Sequence, residues 1–185
     1  MMKKWTTKAI AECAVLIASA LVLSYFKIRT GPSGGSIDLV MLPLLLVAVR
    51  RGVPAGMIAG LLFGTLKFFI GGGTALNWQS MLLDYSLAYM MVGIGGVFCR
   101  KKWGLVPAAL LGGFGRFVIH FISGVTIYAE YMPEDFLGLT MTSPAVYSAL
   151  YNALYVLPSM IVAAAAGALL SRPLREYITG ADMNS

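Results

Sequence analysis

Six apolar stretches, at residues 9–26, 38–49, 53–70, 80–98, 105–127 and 144–170, leave only short polar connections between them. Most hold about 18 residues or more, the length an α-helix needs to cross a hydrocarbon layer about 30 Å thick. Hydrophobic residues make up 58% of the chain and charged residues 12%. The 185 residues are therefore expected to form one all-α integral membrane domain. The second stretch is too short to be assigned by length, and the charges decide it.

Lysine and arginine near span ends are retained on the cytoplasmic side. The N-terminus carries Lys3, Lys4 and Lys8, the second connection Arg50 and Arg51, the fourth Arg100, Lys101 and Lys102, and the C-terminal tail Arg172 and Arg175. With six spans, these ten of the fourteen basic residues fall on one side. The third connection has no charge, and the fifth has Glu130, Glu134 and Asp135 without a base. Lys27 and Arg29, in the first outer connection, are the one departure. Six transmembrane helices with both termini cytoplasmic are therefore expected.

The net charge of +6 is spread over four cytoplasmic segments and marks topology, not a nucleic-acid footprint. The first span lacks a small-residue cleavage site, so no cleavable signal peptide is expected. Cys13 and Cys99 both fall toward the reducing side, where a disulfide is not expected. No phosphate-cradling G-x-x-x-x-G-K-[ST] loop, no H-E-x-x-H and no G-x-S-x-G is present, and there is a single histidine. ATP hydrolysis by this chain, a metal site and an intramembrane enzyme with a nucleophile and base pair are disfavoured accordingly.

The stretch MLLDYSLAY places Asp84 in a run with no other charge between Ser80 and Phe98. An ionisable group within a span is costly and points by default to function. At about 1.5 Å per residue, Asp84 and Tyr85 fall near the outer end of the fourth helix and His120 about two turns below the outer end of the fifth. Tyr128 falls at the mouth of the fifth, and Tyr147, Tyr151, Asn152 and Tyr155 in the outer half of the sixth. A carboxylate among aromatic rings and hydrogen-bonding groups suits a flat organic cation. Glu12 falls near the cytoplasmic end and does not join this layer.

Plainer readings compete. Asp84 could be a structural partner of Arg116 or Lys67, the other charges within apolar spans. His120 shares a helix face with Arg116 four residues earlier, and a lone buried histidine is more often a satisfied core residue. Tyr147, Tyr151 and Tyr155 at i, i+4 and i+8 also suit helix packing or the interfacial aromatic belt. The glycine-rich segments at residues 31–36 and 71–73 read either as lids or as tight connections. Ala11, Ala14 and Ala18 form a smooth face on the first helix, suited to close approach by another helix.

Four segments carry a resemblance: GGSIDLVMLPLLLVAVRRG, LLDYSLAY, GRFVIHFISGVTIYAEYMP and PAVYSALYNALYVLP. In order and spacing they resemble the thiamin-specific substrate-binding (S) components of energy-coupling-factor (ECF) transporters. The R-F-x-x-H-F-x-S-G-V core from Arg116 is the most specific part. The resemblance implies the six-helix S-component fold, thiamin capture from outside a prokaryotic plasma membrane, and no cofactor bound by the chain itself. It implies a transmembrane coupling protein and two ATPase subunits as partners, with ATP consumed by those subunits. It implies a ligand site of Asp84, Tyr85, His120, Tyr128, Tyr147 and Asn152, and partner docking through Ala14 and Ala18. Some members carry Glu in place of Asp84, Trp in place of Tyr128, and a first-loop Trp near Gly34. Two rivals remain open at this point. One is an S component for another vitamin or a thiamin precursor. The other is a self-sufficient proton-coupled carrier using Asp84, Arg116 and His120 as a relay.

Overall fold

The computed structural model describes residues 6–30 and 35–183. Its helices are α1 (Thr7–Leu23), α2 (Met41–Arg51), α3 (Val53–Ile70), α4 (Trp78–Phe98), α5 (Leu105–Thr126), α6 (Pro144–Leu170) and a short α7 (Arg175–Thr179). Two-residue hairpins punctuate the bundle: β1 (Ile28–Arg29) pairs antiparallel with β2 (Ser36–Ile37), and β3 (Asp135–Phe136) with β4 (Leu139–Thr140). Helices α3 to α6 are each long and apolar enough to cross a membrane.

The sequence sets the helix ends through specific side chains. Thr6 caps α1 by accepting from the Ala9 amide at 3.2 Å, and Ser143 caps α6 by accepting from Ala145 at the same distance. Such caps satisfy amides that have no partner within the helix. At the start of α4, Asn77 and Ser80 form a reciprocal capping box, at 2.8 Å and 3.1 Å. Between α2 and α3 the whole reversal is made at Gly52, whose φ of +93° is open to glycine and strained for other residues.

Two boundaries differ from the sequence expectation. The first helix stops at Leu23, where the Ser24 hydroxyl turns back to the Leu21 carbonyl at 2.7 Å. The second helix starts at Met41, because Asp38 stands before it and accepts from the Val40 amide at 3.4 Å. Helix α2 is only 11 residues long, yet nine of them are buried. It runs through the middle of the bundle, against α1, α3, α4, α5 and α6. Lined by protein and not by lipid, it does not need the length of a lipid-facing span.

Glycines set how closely α3 approaches α4. A Cβ built at Gly60 would come within 2.1 Å of the Tyr89 carbonyl oxygen, and at Gly93 within 2.2 Å of the Met57 nitrogen. Small residues let membrane helices meet backbone to backbone in this way. The α1 face bearing Ala11, Ala14 and Ala18 is exposed, together with Ile10, Val15 and Val22.

At the bundle end where α1 starts and α2 finishes, Glu12 pairs with both Arg50 and Arg51. Arg50 also forms a two-pronged bond with Asp182 at 2.8 Å and 2.7 Å, and its guanidinium lies 3.9 Å from the Tyr177 ring centroid. This ties the segment after α6 to α1 and α2. The arginine beside Asp182 keeps its carboxyl below the usual carboxylate range. Lys3, Lys4 and the first-loop positions 31–34, Gly34 among them, lie outside the described residues.

Candidate functional site

At the opposite end of the bundle, Asp84, Tyr85, His120, Tyr128, Tyr147 and Asn152 all line one cavity of about 190 Å³. The helix that carries the first two is not regular. After an α-helical start, α4 widens into a π turn over Leu82–Leu87, returns to α over Ala88–Val92 and tightens to 3₁₀ over Gly93–Phe98. π turns inside α-helices are rare and concentrate at functional sites.

Asp84 lies in that turn and reaches across to α5. One carboxylate oxygen lies 3.1 Å from His120 Nδ1, and the other accepts from the Ser123 hydroxyl at 3.0 Å. The far nitrogen of the same imidazole, Nε2, accepts from Arg116 Nε at 3.3 Å. Pairing of Asp84 with Arg116 or Lys67, open on the sequence, is thereby corrected. His120 stands between Asp84 and Arg116, one helical turn after the arginine and within reach of both.

Lys67 and Arg116 are held by other partners. Lys67 on α3 donates to the Tyr89 hydroxyl at 2.6 Å and pairs with Asp38 at 3.5 Å. The Arg116 guanidinium lies 4.5 Å from the centroid of the Tyr89 ring, and Lys67 Nζ lies 4.8 Å from it. Tyr89, 2% exposed, thus offers its π face and its hydroxyl to two charges that would otherwise meet apolar surroundings. Asp38 balances Lys67, and the carboxylate of Asp84 remains turned to the cavity.

Helix α6 supplies the aromatic wall. Tyr147, Tyr151 and Tyr155 follow one another down the helix with ring centroids 5.7 Å and 5.8 Å apart, and Phe136 of β3 packs edge-on to Tyr147 at 5.1 Å. Asn152 is fixed from both sides. Its amide donates to the Ser148 carbonyl at 2.8 Å and the His120 carbonyl at 3.3 Å, while its oxygen accepts from the Tyr155 hydroxyl. A side chain restrained so fully keeps its geometry when a ligand arrives.

Two connections reach the cavity, at Gly35 and at Thr74. The Tyr85 hydroxyl accepts from the Thr74 amide at 3.0 Å and donates to the Thr74 carbonyl at 3.1 Å, strapping down the chain after the glycines at 71–73. The Tyr151 hydroxyl accepts from the Gly35 amide at 3.1 Å, where the first connection rejoins the bundle. Tyr128 sits just beyond α5, and burial, with the Asp84 carboxylate nearby, pushes its phenol up to about 12. It is a neutral hydrogen-bonding ring throughout the physiological range.

A carboxylate facing a cavity walled by tyrosines, with fixed amide and hydroxyl groups beside it, is built for a flat cation that also carries hydrogen-bonding groups. Among the described residues no cluster of three His, Cys, Asp or Glu side chains could hold a metal ion. Tyr89, Ser123 and Asp38 were given no role by sequence reasoning, although Ser123 is a fixed position of the R-F-x-x-H-F-x-S-G-V core. Asp38 heads its apolar stretch without any spacing that ties it to Lys67, and Ser123 and Tyr89 are ordinary residues in apolar helices.

Comparison with known proteins gives a consistent result. Residues 10–178 match the model of the thiamine transporter protein family. The chain is 33% identical over 168 residues to the thiamine transporter ThiT of Bacillus subtilis, covering 83% of this chain and 84% of the relative. It is 31% identical over 159 residues to ThiT of Lacticaseibacillus paracasei, covering 77% and 76%. The solved structure of ThiT from Listeria monocytogenes superposes with a TM-score of 0.79 at 26% identity, over 92% of this chain and 96% of that one.

Proposed function

This chain belongs to the thiamine transporter protein family, and from that premise we propose how it works: as the S component of an ECF importer, taking thiamin from outside and delivering it inward with an ATP-driven module. It is a multi-pass protein of the prokaryotic plasma membrane and a transporter, not an enzyme. Thiamin joins an aminopyrimidine ring to a permanently cationic thiazolium, so its recognition calls for a negative group, aromatic walls and directed hydrogen bonds.

The observation that carries the reading is the convergence of Asp84, Tyr128, Tyr147 and Asn152, from two helices and a loop, on one cavity. In this reading Asp84 supplies negative charge, and the Tyr128 and Tyr147 rings stack on the ligand. Asn152 and Tyr85 give directional bonds, and His120 orders the acid. Asp84 and Tyr128 are shorter or smaller than the Glu and Trp of some relatives, which leaves the same chemistry with a different reach.

Transport needs an energy source that this sequence does not encode, since it has no nucleotide-binding loop. A coupling protein with two ATPase subunits fills that role. The exposed α1 face of Ala14 and Ala18 supports docking of that module, since small side chains allow close helix contact within lipid. Reconstitution into liposomes tests the proposal. Thiamin uptake should require both the module and ATP. Uptake by this chain alone, driven by a pH gradient, would point instead to a proton-coupled carrier.

A further inference from the structure

His120 makes a hydrogen bond at each ring nitrogen, and the two partners are unequal in kind. At Nε2 the partner is Arg116 Nε, a group that can only donate. At Nδ1 the partner is the Asp84 carboxylate, a group that accepts when ionised. Imidazole protonated at Nε2, or at both nitrogens, would set one N–H against another at the arginine. One arrangement satisfies both imidazole nitrogens: Nε2 bare, Nδ1 carrying the proton, and the proton directed at Asp84.

We propose that Arg116 is a positioning residue that holds His120 in the Nδ1–H tautomer, so that the imidazole donates to Asp84 and presents the carboxylate to the ligand. Arg116 is itself fixed. It is 3% exposed, lies one turn before His120 on α5, and its guanidinium is anchored over the Tyr89 ring. With Ser123 donating to the second oxygen, the Asp84 carboxylate is bonded at both oxygens and cannot rotate without breaking one of those bonds. The direction of the chain, Arg116 to His120 to Asp84, follows from the arginine having no acceptor to offer. A lysine, with donors only, is the conservative replacement, and an apolar side chain of similar length removes the constraint.

The inference rests on the thiamin site proposed above, and the test separates the two. His120 is the only histidine, so protein labelled with ¹⁵N-histidine reports one imidazole without assignment. In the wild type, the Nε2 resonance should fall where bare imidazole nitrogens resonate and Nδ1 where protonated ones do. Arg116→Met should move both resonances toward an average of the two tautomers and weaken thiamin binding about ten- to a hundredfold, the span for a lost hydrogen bond to a charged group. Arg116→Lys should restore the wild-type pattern and most of the affinity.

A wild-type spectrum with the proton on Nε2 or on both nitrogens overturns the proposal, and it needs no variant that folds. A Met variant that keeps a pure Nδ1–H signature, or shifts tautomer with no change in affinity, overturns it as well. If the wild-type protein shows the expected spectrum but does not bind thiamin, the ligand assignment fails while the tautomer assignment stands.

Discussion

Gly64 on α3 lies so close to Tyr85 on α4 that a Cβ built on the glycine would come within 2.1 Å of the Tyr85 carbonyl oxygen. The neighbouring Asp84 sits in the same π turn. The glycine therefore lets α3 support the wide turn that carries the acid, and the site depends on a residue outside the cavity lining. Adding a methyl group must push the two helices apart, since the clash is with backbone and not with the tip of a flexible side chain. Gly64→Ala is expected to lower thermal stability by about 1–3 kcal/mol, the usual cost of overpacking. It should also weaken thiamin binding, because the turn bearing Asp84 has to shift. Thermal unfolding together with ligand titration of the variant checks both.

Asp84→Asn should act differently. It removes the charge and keeps the shape; the amide oxygen can still accept from His120 and the Ser123 hydroxyl can turn to accept from the new NH2, so the thermal midpoint without ligand should fall only slightly. Thiamin affinity should fall by about 1.5–3 kcal/mol, the range for a charge-assisted hydrogen bond. Melting curves with and without thiamin separate the two effects. An unstable variant with normal affinity would make the acid a structural partner of His120 and Ser123 and not a ligand group.

Lys67 and Asp38 form an ion pair within the protein, with side-chain exposures of 11% and 0%. Breaking such a pair from one side strands the other charge, which costs about 3–5 kcal/mol. Lys67→Met should therefore be severely destabilised, and adding Asp38→Asn should recover part of the loss. A double-mutant cycle on unfolding midpoints measures the coupling, and purely additive effects would contradict the pairing.

The clasp at the other end of the bundle predicts a pH response. The Arg50 guanidinium keeps the Asp182 carboxyl below its ordinary value of 3.8. A group with a depressed folded-state pKa contributes stability above the unfolded value and loses it as the pH falls through the folded one. The contribution of Asp182 should thus be intact at neutral pH, begin to weaken as the pH falls past the ordinary value of 3.8, and be lost once the pH is below the depressed folded value. The carboxylate is 38% exposed, so the effect is small and screened by salt. Asp182→Asn should lower the melting temperature slightly at pH 7 and by progressively less as the pH is taken down below 3.8, measured at low ionic strength.

Much of this molecule could be read before its structure. Helices α3 to α6 fall within a few residues of apolar stretches in the sequence, because uninterrupted hydrophobicity over about 18 residues has few other solutions. Depth could be read too, since counting residues from a span end places Asp84, His120 and Asn152 in one layer. Rotation about the helix axis could not. The π turn at Leu82–Leu87 adds to the helical repeat and changes which way Asp84 faces, and no residue pattern announces it. The partners of Lys67 and Arg116 were hidden for a related reason. Tyr89 joins them from a third helix, and its place in an apolar run looks like that of any packed aromatic. Helix α2 was hardest to delimit because its surroundings are protein, which relaxes the length rule that defines the other spans.

In the proposed function, this cavity recognises thiamin through its charge and its two rings. Titration of the purified protein with thiamin, alongside riboflavin and biotin, tests it most directly. Tight, saturable binding of thiamin at one site per chain is expected, lost in large part with Asp84→Asn, and none of comparable strength for the other two vitamins. Absence of thiamin binding by folded protein, or equal binding of all three, would contradict it.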